Sequence, residues 1–433
     1  MSVLKRFSFE NYLSFKDEST LDLTATGIRE HSEHVHKFKD VGILKGVVIY
    51  GANASGKSNI VKALSFSRKL ILNGIKDVST YKKYFRLDEQ SKNNHTKFDF
   101  ELEFDNKFYA YGFSISMNEG IIQSEWLYQI GIAKPKKIFE RNGCNIDVDI
   151  KEPKLKPRFE IYKEDMKEEF LFLKEIAGKN LKDDEVKIFS EIFGWFEKKL
   201  LLIYPDNKFR VTSLHDNKEQ QAHFLEYLKL FDTGIEEIKS IDEDFDKINI
   251  DKPLKEFIEK YLRDKNKSIP IPYKGELLTF VKDDDSHIKV KRLGLVHNTN
   301  IDDFFDLADE SDGTQRLFDL IPLISMFSSD MTIVIDEFER SLHPNLTEKF
   351  LEIFYKKAED NKSQLIVTSH ESKLLSLDLL RRDEIWFVKK NKQGVSETYP
   401  LSKFNIRNDK KIEKDYLVGR FDAVPIINIY DDI

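Results

Sequence analysis

The sequence has one cysteine, Cys144, in 433 residues. No disulfide can form within the chain, and a structural zinc site built on cysteine thiolates is excluded. Long apolar runs are missing as well. "ILKGVVIY" and "TIVIDEF" are strand-sized and far short of a membrane span. The opening "MSVLKRFSFENYLSF" is too polar for a secretory signal, so a cytoplasmic protein without a membrane partner is expected. Nor is there a surplus of basic charge. With a formal net charge of −7, any contact with nucleic acid would have to come from local segments. KPKK (134–137), KLKPR (154–158) and KVKR (289–292) are the candidates, and each reads as a solvated face. No internal repeat, low-complexity tract or sustained heptad is present, so no long coiled-coil arm is expected.

What is there describes a globular chain long enough for two or three packed units. Residues 3–9 and 19–24 alternate apolar and polar, the pattern of β structure. "GILKGVVIY" (42–50) is a continuous apolar run, as in a strand covered on both faces, and a helix is predicted from Gly56 to Leu72. From 84 to 130 the aromatic-rich alternation predicts an antiparallel meander. Residues 155–265 read as mostly helical, with Val186, Phe189, Phe193 and Phe196, and Phe224, Leu228 and Phe231, at core-facing helical spacing. Strands are expected again at "GELLTFV" and "SHIKVKRLGLV". After them come a helix (315–328), a strand (331–336), a helix (345–359), a strand (364–370) and a last strand (384–390). This gives an N-terminal lobe over 1–150, a mostly helical insertion over 151–270 and a C-terminal lobe over 271–433. The fold class is α/β.

Three motifs carry chemistry. "GANASGKS" (51–58) fits the phosphate loop G-x-x-x-x-G-K-[ST], and it follows a buried strand and opens a helix. Gly51 and Gly56 let the backbone curl, so that successive N–H groups, with Asn53 and Ser55 in the loop and Asn59 just beyond it, form an anion cradle. Lys57 would reach terminal phosphates, and the Ser58 hydroxyl would ligate Mg²⁺. "TIVIDEFE" (332–339) delivers two carboxylates to the end of a buried strand. Asp336 suits the Mg²⁺ shell, and Glu337 could polarise an attacking water. "LIVTSH" (365–370) ends a further buried strand and puts His370 on the same edge. A fourth segment, "HSEHVH" (31–36), offers His31, His34 and His36 to a metal, although a surface loop before the phosphate-loop strand is its plainer reading.

The phosphate loop, "ESDGT" (310–314), the two acids, "SLHP" (341–344) and "TSH", in this order, resemble the ATP-binding-cassette ATPases of the SMC, RecF and OLD kind. The resemblance implies an ABC-type P-loop head that binds ATP and Mg²⁺, with Glu337 and His370 as catalytic residues. It also implies a head-to-tail homodimer in which Ser311, Gly313 and Thr314 of one chain close over the nucleotide of the other. "SLHP" would be the D-loop. Ala54 stands where many relatives carry glycine, and Asp312 replaces the first signature glycine. Gln90 and Gln123 are candidates for the Q-loop glutamine.

More narrowly, "GANASGKSN", "ESDGTQRL", "IDEFERSLHP" and "YLVGRFDAVP" (416–425) look like stand-alone OLD-type ATPases of bacterial phage-defence operons. Such proteins are usually encoded beside a toxin or nuclease, so the resemblance implies control of a separately encoded effector and leaves open an assembly above the dimer. The stretch after His370 is too short for the Toprim nuclease domain of full OLD proteins, and the closing acids Asp431 and Asp432 lack a buried strand before them. The alternatives are a RecF- or SMC-like ATPase that clamps DNA, and a nucleotide-dependent scaffold with negligible hydrolysis.

Overall fold

The computed structural model describes residues 2–424 apart from 40, 180, 182, 207–213, 215–216, 264–267, 274–275, 284–286, 302 and 407–410. The closing acids 431 and 432 lie outside the described residues. The chain divides into two units. The first comprises 1–205, 326–339 and 347–433, and the second 206–325 and 340–346.

At the centre of the first unit is a six-stranded sheet in the order Leu200–Ile203, Thr332–Ile335, Gln364–Thr368, Gly46–Tyr50, Ile385–Lys390, Ser396–Pro400. The first five strands run parallel and the last antiparallel. Every residue of Gly46–Tyr50, Thr332–Ile335 and Gln364–Thr368 is buried. Parallel strands covered on both faces carry unbroken apolar runs, which is why these segments read as they do. The helix Lys57–Asn73 buries Ile60, Val61, Leu64 and Leu70 in the same core as Val47 and Ile49. Elsewhere in this unit Phe350 and Phe354 close on Phe327 and Phe338.

A seven-stranded antiparallel sheet forms the rest of the unit's β structure, with Thr96–Phe104, Lys107–Ser116 and Ile121–Ile130 as the expected meander. The first strand, Ser2–Glu10, pairs with both Thr96–Phe104 and Ser19–Asp22. Its Phe7 lies 4.8 Å from Phe100, and Phe98 lies 5.4 Å from Phe113, so the aromatic alternation packs one face of the sheet onto the core. This layout, a P-loop sheet with an antiparallel β meander and helical additions, is α/β; no long coiled coil is evident among the described residues.

The second unit has its own five-stranded sheet, with Glu237–Asp244, Ile288–Val296, Glu276–Lys282 and Ser268–Tyr273 in that order and Phe305–Asp306 beside Ile288–Val296. Phe245, Ile258, Leu262, Phe280 and Val290 form its core. Phe318, on the helix Asp312–Met326, packs 4.9 Å from Phe224.

Several expectations need correction. The run 42–50 is two strands: Val41–Leu44 pairs with Val35–Phe38, and Gly46–Tyr50 enters the central sheet. Lys45 makes the break; its ammonium reaches the Glu359 carbonyl at 3.1 Å. The middle of the chain is less helical than its pattern suggests. Helices Lys187–Gly194 and Lys218–Leu230 bury Phe189, Phe224 and Leu228 as expected, but Leu200–Ile203 is the edge strand of the central sheet and Glu237–Asp244 is also a strand. Residues 151–205 belong to the first of the two units.

Candidate nucleotide site

The phosphate loop leaves the central strand Gly46–Tyr50 at Gly51 and ends at Gly56, the N-cap of the helix Lys57–Asn73. Gly56 has φ +121°, a conformation L side chains rarely adopt, and a Cβ there would lie 2.6 Å from the Ser396 hydroxyl. Ala54 takes φ +60° in the left-handed region. That accounts for glycine at the equivalent position in the relatives the motif resembles, and alanine carries the strain with the smallest side chain.

Lys57 is almost wholly buried. Its ammonium donates to the Gly51 carbonyl at 2.7 Å and the Ala52 carbonyl at 3.2 Å, and it lies 3.3 Å from His370 Nδ1. Burial pushes its pKa down to about 8, against the pull of Glu339, Asp336 and Glu337. An ammonium can only donate, so Nδ1 of His370 is the acceptor, and its Nε2 is left as the donor. Part of the His370 ring reaches solvent, yet desolvation and the Lys57 charge lower its pKa, which keeps the imidazole neutral at pH 7.

Ser58, one residue into the helix, donates to Asp336 Oδ1 at 3.1 Å. Asp336 is buried at the end of Thr332–Ile335, and Thr368 donates to the same oxygen at 2.6 Å. The Thr368 hydroxyl also accepts from the Glu337 N–H at 2.9 Å. Glu337 sits at φ +50°, an uncommon conformation for a non-glycine residue, held by that bond and by the Phe338 N–H to the Thr368 carbonyl at 3.0 Å.

Pattern reading missed four residues of this network. Thr368 is the pin between two acids. Glu339 accepts from the His370 N–H, and burial raises its pKa. Ser14 and Ser396 bond each other at 2.8 Å, and Asn59 Nδ2 donates to Ser14 Oγ at 2.8 Å. Asn59 thus braces the loop after the first strand. The only signal for Thr368 and Glu339 was their place in "VTSH" and "DEFE". Ser14 and Ser396 are far apart in sequence and carried none.

The residues present fit a nucleotide and a divalent ion. Ser55 Oγ and Glu339 Oε2 are buried with no hydrogen-bond partner, beside a lysine whose hydrogen bonds go to loop carbonyls and an imidazole. Ser58 and Asp336 offer two hard oxygen ligands within hydrogen-bond distance of each other, the donor set Mg²⁺ takes. Asn53 is exposed in the loop. Gln90 is exposed on a short 3₁₀ turn and Gln123 lies within the strand Ile121–Ile130.

In the second unit, Ser311 is exposed and caps the helix Asp312–Met326. Its hydroxyl accepts from the Thr314 N–H at 3.1 Å and lies 3.0 Å from the Thr314 hydroxyl. A Cβ on Gly313 would come within 2.8 Å of the Ser341 carbonyl, so glycine lets the "ESDGT" turn and "SLHP" touch.

A family model described as "AAA domain, putative AbiEii toxin, Type IV TA system" matches residues 47–376. The chain belongs to this AAA_21 family. The match takes in the phosphate loop, "ESDGT", "TIVIDEFE" and "TSH", and with them membership of the ATPase superfamily. No curated protein matches this AAA_21 chain. Among solved structures it is similar to an SMC head bound to the C-terminal winged-helix domain of ScpA, at 12% identity and TM-score 0.41, over 92% of this chain and 97% of that one. It is also similar to the SMC head domain from Thermotoga maritima, at 13% identity and TM-score 0.36, over 93% and 99%. A third is an SMC head with an extended coiled coil bound to the C-terminal domain of ScpA from Pyrococcus furiosus, at 13% and 0.37, over 97% and 99%. All three are remote. Among the described residues no helix is long and apolar enough to cross a membrane.

Proposed function

We propose that this AAA_21 chain is an ATP-binding and hydrolysing switch that dimerises head to tail around nucleotide. Its place would be a bacterial anti-phage defence system, where it governs a separately encoded toxin or nuclease. The observation that carries the reading is the cluster of Lys57, Ser58, Asp336, Glu337, Thr368 and His370 at one edge of a buried parallel sheet. Bound Mg²⁺ would neutralise charge on the phosphoryl group as it transfers. Lys57 supplies a directed cation to the terminal phosphates, and Ser58 with Asp336 holds the ion. Glu337 orients the water and takes its proton, while His370 donates through Nε2 toward the outermost phosphate. Ser311, Gly313 and Thr314 serve the partner's nucleotide through the helix N-terminus they form.

The defence setting is supported by the family description, which names a toxin of a type IV TA system, and by the OLD-like motifs. DNA clamping is disfavoured by what two of the three basic segments do. In KVKR, Arg292 pairs with Glu243 and Asp306, and Lys291 and Lys289 stand opposite Asp242 and Asp244 on the neighbouring strand. In KPKK, Lys137 pairs with Asp147.

The test is nucleotide-dependent mass by light scattering. The Glu337→Gln chain is expected to bind ATP, stall and accumulate as a dimer, whereas wild type with ADP stays monomeric. A Glu337→Gln chain that turns over normally, or a mass that ignores nucleotide, overturns the reading. Purified alone, the wild type is expected to hydrolyse ATP and leave plasmid DNA uncut in Mg²⁺ or Mn²⁺. Cleavage by the lone chain would contradict a separate effector.

A further inference from the structure

The histidine-rich segment before the phosphate-loop strand forms a cluster that the nucleotide chemistry does not use. His31 lies at the N-cap of a 3₁₀ turn, Ser32–His34, with φ +50°. In such a turn side chains three apart lie over one another, and the rings of His31 and His34 stack at 4.8 Å and 20°. Glu33 places Oε1 at 3.4 Å from His31 Nδ1 and 3.8 Å from His34 Nε2. One ligand atom from each of the three residues lies within 4.8 Å of the others. His36, the third histidine of the motif, is not part of the cluster. It is buried, 3.1 Å from the Ser363 carbonyl, and burial lowers its pKa to about 4.

The outer nitrogens decide the chemistry. His31 Nε2 meets the Leu377 carbonyl at 3.0 Å, and His34 Nδ1 meets Glu384 Oε2 at 3.1 Å. The Leu377 carbonyl and the ionised Glu384 carboxylate accept hydrogen bonds and cannot donate them, so each imidazole donates outward, and its inner nitrogen presents a lone pair when the ring is neutral. Two lone pairs then face the Glu33 carboxylate with no donor between them. A backbone carbonyl or carboxylate behind each ligating imidazole is the outer-shell arrangement of protein metal sites. Glu384 is fixed in turn by the Arg381 N–H at 2.8 Å and the Tyr355 hydroxyl at 3.2 Å, and Tyr355 stacks on His34 at 3.5 Å. Tetrahedral bonds of about 2.0–2.1 Å put ligand atoms about 3.3–3.4 Å apart, so binding would draw the cluster in and turn the stacked His31 ring until its in-plane lone pair converges with that of His34. The cluster opens on a cavity of about 350 Å³ also lined by Glu348, Glu352, Glu359 and Asp378, an acidic mouth that draws cations. Lys356 lines it too, and Lys349 engages Glu352 at 2.8 Å.

We propose that His31, Glu33 and His34 bind a divalent transition metal of the Zn²⁺ class, at a site separate from the Ser58–Asp336 pair. Two imidazoles and one carboxylate leave a fourth position open to water or to one of the cavity acids, a donor set that suits Zn²⁺ rather than Mg²⁺. The site lies at the far end of the phosphate-loop strand: the Tyr355 hydroxyl fills the space where a Cβ on Gly46 would stand, and the Lys45 N–H donates to the His34 carbonyl at 2.8 Å.

The test uses the full chain, free of any histidine tag and stripped with chelator. Zn²⁺ is titrated against a chromophoric competitor, and Co²⁺ is added separately to read its ligand-field absorption. Wild type and Asp336→Asn are expected to bind one Zn²⁺ per chain and to give a tetrahedral Co²⁺ spectrum. His31→Ala and the half-exposed Glu33→Gln are expected to bind Zn²⁺ at least about tenfold more weakly and to lose that spectrum. Equal affinity in wild type, His31→Ala and Glu33→Gln, or loss of binding in Asp336→Asn alone, overturns the proposal. So does a wild type that binds no stoichiometric Zn²⁺.

Discussion

Around the phosphate loop, polar groups are tied to one another across strands distant in sequence: Lys57 to His370, Ser58 to Asp336, Thr368 to Asp336 and to the Glu337 N–H. Around the "ESDGT" turn the Glu310 carboxylate lies 2.6 Å from His297 Nε2, and Ser311, Thr314 and Gln315 serve their own helix. Ser311 caps it, Thr314 answers Ser311, and Gln315 Nε2 returns to the Glu310 carbonyl at 2.9 Å. The first arrangement is preorganised within one chain and still holds buried atoms without partners, Ser55 Oγ and Glu339 Oε2. The second is capped by its own Ser311, which is exposed. A region that keeps unmet polar groups is built to receive something, whereas a capped and exposed turn is built to be presented. That difference is what a nucleotide site shared between two copies requires.

Substitutions should separate the two regions. The largest effect is expected from Glu337→Gln, which keeps the backbone pin to Thr368 but removes the base. Single-turnover hydrolysis should slow by about 10²–10⁴-fold while ATP affinity holds. Lys57→Ala removes a charged hydrogen-bond donor and is expected to weaken ATP binding by roughly 10- to 100-fold in equilibrium titrations. A pH series sharpens the same point. Below pH 8 Lys57 is charged and binding is complete; above it, each ATP bound must bring a proton with it. Affinity should then fall toward about tenfold per pH unit in wild type and stay level in Lys57→Arg, whose charge does not titrate there. Smallest is Thr368→Val, which strips two hydrogen bonds from the acids and should cost about 1–3 kcal/mol in denaturant unfolding.

Much of this was legible before any coordinates. "VVIY", "TIVI" and "LIVT" are strands buried on both faces, and burial on both faces leaves no alternation to misread. Where one side chain interrupts the rule, pattern reading failed. Lys45 keeps its stem in the core and its ammonium on a carbonyl, so a run that looked continuous is two strands in two sheets. "LLLI" (200–203) follows the aromatic stripe of a helix and was absorbed into it, although four apolar residues before "YP" fit a short buried strand equally well. Glu33 was not joined to the histidines because no acid of the segment stands at a recognisable metal-ligand spacing. The proposed site also rests on Leu377 and Glu384, which meet His31 and His34 from more than 340 positions away, and no local spacing encodes that.

The shared site is tested most directly by mixing two inactive chains. Lys57→Ala lacks the phosphate-loop cation, and Ser311→Arg blocks the presented turn at the cost of a helix cap worth about 1 kcal/mol, so both are first checked for folding. Each is expected to be inactive alone. Mixed, they form a heterodimer in which Lys57 of one chain meets the intact Ser311 turn of the other, and ATPase activity returns at that one site. No recovery from two folded chains, together with no ATP-dependent crosslink between cysteines engineered at these two loops, would contradict a nucleotide site shared between copies.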